Sequence, residues 1–302
     1  MAVGDITPVP GVPDLHFVDT GMYGTPNYGG VYVYDGPTPA LVESGIGADR
    51  DAVFGALAEL GIERDALEAI VLTHVHLDHA GGAGYLVEAC PNATVYVHES
   101  GASHLADPGR LVAGTKEAVG GMWEFYADPK PIPEERIESL GDGDAVSLGP
   151  RTLRAHACPG HAPHQLAFHD ETAGALFVGD AAGLWVPDRT LVVPTTPPPQ
   201  FDLETCLADT ETLRALGAER LCYTHFGPGP EHTTAALDAY DAALEQWVER
   251  VRLALDGADN GDSVADAFAD EYERRFAGVW GARKAREEAR LNVRGVRAYL
   301  DA

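Results

Sequence analysis

Lysine is almost missing from this 302-residue chain: Lys116, Lys130 and Lys284 are the only three, and every other basic residue is Arg. No run of Lys and Arg occurs, and the weak basic clustering at Arg274–Arg275 and Arg283–Arg290 is interleaved with Glu. A phosphate backbone is bound through a basic patch, so no nucleic-acid partner is expected. Cysteine is scarce too. Cys90, Cys158, Cys206 and Cys222 stand apart without CxxC spacing, and are expected as small buried apolar residues rather than a disulfide framework. No apolar run approaches the roughly 18 residues of a membrane span, so no membrane partner is expected. Met1–Val12 lacks the positive region and apolar stretch of a signal peptide. A cytoplasmic location follows by default.

Acid, by contrast, is abundant: 47 acidic residues against 21 basic ones give a formal charge of −26. Such an acid-rich, lysine-poor composition resembles that of proteins from salt-loving cells, where salt screens the self-repulsion that would loosen a compact state. The chain is expected to be halophilic. With 45% apolar residues, 4 Trp, 9 Phe and 11 Tyr, it can bury a sizeable core.

Short β-prone runs at His16–Val18, Gly30–Tyr34 and Ala40–Val42 are punctuated by Gly, Pro and Asp. Helical spacing over Ala48–Leu60 ends at Gly61, and Ala69-Ile70-Val71-Leu72 reads as a buried strand. His74–Ala80 is predicted as the loop after it, Gly81–Ala89 as a helix and Thr94–His98 as a strand. Glu99–Pro133 reads as a mainly helical insert, with Met122, Trp123, Phe125 and Tyr126 as a lid or a satellite core. Strands return at Ala145–Leu148, Leu153–Ala157, Gln165–His169, Ala175–Val178, Leu191–Val193 and Leu221–Tyr223. Asp202 is a plausible N-cap for a helix to Leu216. From Thr233 the pattern is helical through Leu237, Tyr240, Leu244, Trp247 and Val251, with a break at Asp256–Asp262. Strands followed by helices in each half suggest two sheets between helices.

The strongest local signal is Thr73-His74-Val75-His76-Leu77-Asp78-His79, in a chain with only 12 His. It follows an apolar strand, and strand C-terminal ends carry the ligand sites of layered α/β folds. Imidazole nitrogen and carboxylate oxygen suit Zn and the borderline metals Fe and Mn. On an extended loop, residues i and i+2 point the same way, so His74 and His76 can bind one ion while Asp78 and His79 reach a second. Further ligands must come from other strand ends. Pro159-Gly160-His161, Gly179-Asp180 and Thr224-His225 each place a metal-capable residue just after a short apolar run.

The pattern HxHxDH…PGH…GD…H, over roughly residues 12 to 230, resembles the metallo-β-lactamase fold superfamily in its glyoxalase II-like branch. The resemblance implies an α/β fold, an αββα sandwich of two mixed sheets flanked by helices, with the metals in the cleft at the sheet edges. It implies that His74, His76 and His161 hold one ion, that Asp78, His79 and His225 hold the other, and that Asp180 bridges them. His76 is not Glu, and no flavin-binding module follows, so a flavodiiron-type electron carrier fits poorly. A catalytic domain is expected over residues 1–235, with the insert at about 99–136, and a helical extension over 236–302.

Two divalent ions, Zn foremost with Fe or Mn as alternatives, would share a bridging hydroxide that attacks an ester, thioester or lactone of a small molecule. Asp78 would orient that hydroxide. The competing readings are a mononuclear iron persulfide dioxygenase and, more weakly, a nucleic-acid-processing nuclease. His164 and Tyr223 are candidates for lining or supporting the site, and the Pro194–Pro199 stretch for a wall of the cleft. His16, His98, His104, His156, His169 and His232 are expected to be structural or solvated. The C-terminal helices are expected either to pack on the core or to form a homodimer face.

Overall fold

The structure, a computed structural model, describes residues 3–258 and 260–302. Met1 and Ala2, in the segment read for a signal peptide, and Asp259, in the expected break at Asp256–Asp262, lie outside the described residues. The first half lays down a seven-stranded sheet in chain order: β1 (Ile6–Pro8), β2 (Leu15–Asp19), β3 (Gly30–Tyr34), β4 (Ala40–Val42), β5 (Ala69–Val71), β6 (Thr94–His98) and β7 (Ile137–Leu140). β1 to β4 pair antiparallel and β4 to β7 parallel. The parallel connections run through α1 (Arg50–Glu59), then α2 (Leu77–Ala80) and α3 (Ala83–Ala89), then α4 (Glu99–Ala106) and α5 (Gly109–Val119).

The second half supplies β8 (Ala145–Leu148), β9 (Arg151–Ala157), β10 (Leu166–Asp170), β11 (Ala175–Gly179), the hairpin β12 (Leu184–Val186) and β13 (Leu191–Val193), β14 (Arg220–Tyr223) and β15 (Gly227–Pro228). Its six-stranded sheet has the order β15-β14-β11-β10-β9-β8, with β11 and β14 parallel and the other pairs antiparallel. Outside it lie α6 (Leu203–Ala215), α7 (Thr233–Asp256), α8 (Gly261–Trp280) and α9 (Ala282–Leu300). No helix of the described residues is long and apolar enough to cross a membrane.

Strand alternation sorts the side chains into layers. On β3, Tyr32 and Tyr34 join the core between the two sheets, while Val31 and Val33 face α1 and α3. On β11, Phe177 points to the sheet interface, and Leu176 and Val178 point to the C-terminal helices. The product is four layers, helix–sheet–sheet–helix, as the resemblance implies. On α7, Leu237, Tyr240, Leu244, Trp247 and Val251 are buried together with residues of α8 and α9 against the second sheet. The Asp202 side chain caps α6 by accepting from the Thr205 amide at 2.8 Å. All four cysteines are free and buried.

The structure departs from the sequence expectation in short elements. Leu77–Ala80, predicted as loop, is one helical turn, too short for a helical period to show. β1 and β7 escaped notice because none of β1 is buried and β7 buries only Leu140. The insert contains α4 and α5 and a 3-10 turn over Gly120–Phe125.

Phe177 lies between the sheets with its ring edge-on to Tyr32 and Tyr34, at centroid distances of 5.2 and 6.0 Å. Phe177→Ala is expected to cost about 3–5 kcal/mol of stability, read by urea unfolding at constant salt. A loss below about 1 kcal/mol would be inconsistent with a fully packed position.

Candidate metal centre

The seven side chains singled out in the sequence, His74, His76, Asp78, His79, His161, Asp180 and His225, meet in one cleft at the strand ends. His74 follows β5, Asp180 follows β11 and His225 follows β14. Two of the turns admit only glycine. At Gly179, φ is +50° and a Cβ would stand 2.6 Å from Thr73 Oγ1. At Gly160, a Cβ would stand 2.3 Å from the Cys206 backbone nitrogen. Asp209 on α6 accepts from the Gly160 amide at 2.7 Å and so anchors the loop that carries His161.

The ligand-capable atoms fall into groups. His74 Nε2 and His161 Nε2 lie 3.0 and 3.2 Å from His76 Nδ1. A tetrahedral ion with Zn–N bonds of about 2.0–2.1 Å sets its ligand nitrogens about 3.3 Å apart, so this spacing fits a common cation. Asp78 Oδ2 lies 4.0 Å from His79 Nε2 and 3.9 Å from His225 Nε2. Asp180 stands between the groups: Oδ1 is 3.5 Å from both His79 and His225, and Oδ2 is 3.4 Å from His161. His79 Nε2 and Asp180 Oδ1 are buried and face each other without forming a hydrogen bond. Buried polar atoms left in this state are costly, and a shared cation would satisfy both.

For His74, His76, His161 and Asp180 the protonation states agree with ligation. Burial, reinforced by the neighbouring imidazoles, holds His74 and His76 well below the usual histidine range, and burial also lowers His161. These rings are therefore neutral, the form that donates a lone pair. For Asp180, burial works upward, but His79, His225 and His161 outweigh it and hold the carboxyl below its ordinary range. For His79, burial works downward and the carboxylates of Glu43, Asp180 and Asp78 prevail, raising it.

Glu43, which sequence reading missed, fixes this arrangement from behind. It follows β4, is 1% exposed, and takes the left-handed backbone conformation with φ +73°. That region is costly for a residue with a side chain and persists where surroundings over-determine it. Oε1 accepts from Thr73 Oγ1 at 2.6 Å, Thr224 Oγ1 at 2.9 Å and His79 Nδ1 at 3.1 Å. With a cation bound, this contact would keep the remaining His79 proton on Nδ1 and leave Nε2 to the ion. His225 Nδ1 likewise donates to the Tyr28 carbonyl at 2.8 Å. The Asn27–Phe226 backbone bond beside it keeps that loop in place.

A cleft of about 480 Å³ opens over these groups. His164 lines it, its ring parallel to His74 at 6.0 Å, and burial followed by neighbouring imidazoles lowers its pKa to about 4. Tyr223 is a correction. It is fully buried in the layer between the second sheet and the helices, and it does not line the cleft. β14 ends at Tyr223, so strand alternation does not extend to His225 and cannot aim the two together. His104, expected to be structural or solvated, lines the cleft. Tyr126 from the insert also does, its hydroxyl bonded to that of Tyr23, and Pro197, Pro198 and Pro199 form part of the wall. From α9, Lys284 donates to Glu288 at 2.6 Å and lies over the rings of Tyr23 and Tyr28. The i, i+4 spacing of Lys284 and Glu288, in a chain with three lysines, was the available signal for this pair.

The chain is similar to known proteins over much of its length. The profile of the metallo-beta-lactamase superfamily matches residues 24–225. A metallo-beta-lactamase fold-containing protein of Sulfurisphaera tokodaii is 28% identical over 189 residues, 61% of this chain and 67% of that protein. A hydroxyacylglutathione hydrolase of Gloeobacter violaceus is 34% identical over 143 residues, 47% of this chain and 43% of that enzyme. The chain thus spans less than half the length of the latter relative. Among solved structures, an archaeal metallo-beta-lactamase superfamily protein from Sulfolobus tokodaii superposes with a TM-score of 0.71 at 23% identity, covering 94% of this chain and 98% of that one.

Glu43→Gln removes the negative charge behind His79 while keeping the side chain's shape. Metal affinity, read by chelator competition, is expected to fall about 10–100-fold with the far-ultraviolet dichroism retained. Unchanged affinity would deny Glu43 its role in holding His79.

Proposed function

The chain belongs to the metallo-beta-lactamase superfamily, and from that premise we propose that it is a dinuclear metal-dependent hydrolase of a small-molecule ester, thioester or lactone. His74, His76 and His161 would hold one ion, Asp78, His79 and His225 the other, and Asp180 would bridge them. The observation that carries this reading is the division of Asp180, one oxygen toward His161 and the other toward His79 and His225. Divalent ions at these positions supply Lewis acidity and bring the pKa of water toward neutrality.

The chain's own groups do the rest. Asp78, with its side chain 24% exposed at the cleft, can accept a hydrogen bond from the attacking water and orient it. Glu43 and the Tyr28 carbonyl hold the His79 and His225 rings so that no reorganisation accompanies the reaction. Tyr23, Tyr126, α5 and α9 restrict solvent access above the reacting carbonyl. In this reading residues 1–235 carry the catalytic unit, and residues 236–302 close the cleft.

Other relatives support carbonyl chemistry. An acyl-coenzyme A thioesterase of Gallus gallus is 33% identical over 124 residues, 36% of this chain and 40% of that enzyme. Zinc as the native metal rests on the nitrogen-rich donor set, and a halophilic setting rests on the charge of −26 and the scarcity of lysine. The walled cleft and the lack of a basic run favour a small-molecule substrate over nucleic acid.

The test is metal analysis of anaerobically purified protein together with an ester, thioester and lactone panel at high salt. Two ions per chain and hydrolysis without oxygen uptake are expected; one iron with oxygen uptake would favour the dioxygenase reading. Asp180→Ala should lose metal and reduce turnover by about 100-fold or more. Full metal loading with wild-type turnover in that variant would refute the bridging role.

A further inference from the structure

The helix α5 turns a largely apolar face to the cleft, with Leu111 also packed against the core behind the first sheet. Leu111, Gly114, Ala118 and Val119 recur on it at helical spacing and line the cavity, with Arg110 and Thr115 at its polar margin, and no residue of α5 is fully buried. An amphipathic helix ordinarily covers such a stripe. Leu184 and Leu291 line the same cavity from other elements. The cavity is continuous with His76, Asp78, His161, Asp180 and His225, and α5 touches both α2, which carries Asp78 and His79, and α9. Whatever occupies this face therefore also reaches the metal-capable groups.

Gly114 indicates what the face is shaped for. Glycine inside a helix is less stable than alanine. Here neither a positive φ nor a close neighbour demands it: a Cβ at Gly114 would meet no atom within 4 Å. Gly114 is exposed where it borders the cleft, so its missing side chain leaves that rim open. From Leu111 to Val119 the helix rises about 12 Å, the length of an extended medium-length alkyl chain rather than of an acetyl group.

We propose that the apolar face of α5 seats the acyl chain of the substrate, which is an ester or thioester of a medium-chain fatty acid, with Gly114 keeping the seat open. The chemistry rests on the hydrolase reading above; the seat does not. In the reaction, oxygen from water bonds to the acyl carbon, the bond from that carbon to the alcohol oxygen or thiol sulfur breaks, and the leaving group departs with a proton from the water.

The test uses the metal-loaded protein and its Gly114→Phe variant, in which a larger side chain enters open space on a helix that tolerates phenylalanine better than glycine. Decanoyl and acetyl thioesters of one thiol are compared by kcat/KM, and decanoate and acetate binding by calorimetry. Wild type is expected to favour decanoyl over acetyl by about 10-fold or more, and Gly114→Phe to lower that ratio by about 10-fold or more and weaken decanoate binding in parallel. If neither thioester is cleaved, yet decanoate binds wild type more tightly than acetate and the variant loses it, the seat stands and the hydrolase reading falls. An unchanged ratio in the variant, or decanoate bound no better than acetate, overturns the proposal.

Discussion

One buried carboxylate links the two halves of the molecule at its functional edge. Glu43 leaves the end of β4 in a strained backbone conformation and accepts hydrogen bonds from Thr73 after β5, from His79 on α2 and from Thr224 after β14. Those partners come from both sheets, so their relative position depends on a charge placed where water cannot screen it. A charge taken out of water is tolerable only when it is fully paired, and here the pairing fixes the ring that must face Asp180. The polar groups in front of Glu43 pose the same problem. Neutral imidazoles and an ionised carboxylate crowd together with buried atoms left unbonded. A pair of cations would resolve that crowding, which would couple the integrity of this edge to metal binding.

Much of this was legible in the sequence because the fold and the chemistry leave short-range marks. The β-prone run Gly30–Tyr34 foretold a strand, and the helical spacing from Leu237 to Val251 foretold α7. The HxHxDH cluster and the residues His161, Asp180 and His225 were readable because each follows an apolar run that becomes a strand. Glu43 was not readable. It lies in an acidic chain with 47 Asp and Glu, and nothing local separates a buried carboxylate from a solvated one. Tyr223 was misjudged because the strand ends where alternation was extrapolated. Lys284 and Glu288 were missed for a related reason, since only the docking of α9 against the cleft shows that their face is turned inward.

Residues of the C-terminal helices and the insert line the cleft over the common edge. Asn292 accepts from the Thr196 amide at 2.7 Å, donates to Glu288 at 3.2 Å, and so ties α9 to the proline-rich wall. Trp247 on α7 reaches Thr196 as well, at 3.1 Å. The wall, α9 and α5 thereby form a fixed enclosure over groups whose geometry is set by the strand ends. In the proposed hydrolase, reactivity would belong to the sheet edge and selectivity to the helices around it.

The central claim is that strand ends distant in sequence cage two cations. Anomalous diffraction from crystals of the native protein at the edge of its own metal tests it most directly. Two peaks are expected, one in coordinating contact with His74, His76 and His161, the other with Asp78, His79 and His225, and both touching Asp180. A metal peak in which His161, Asp180 and His225 take no part would contradict the account.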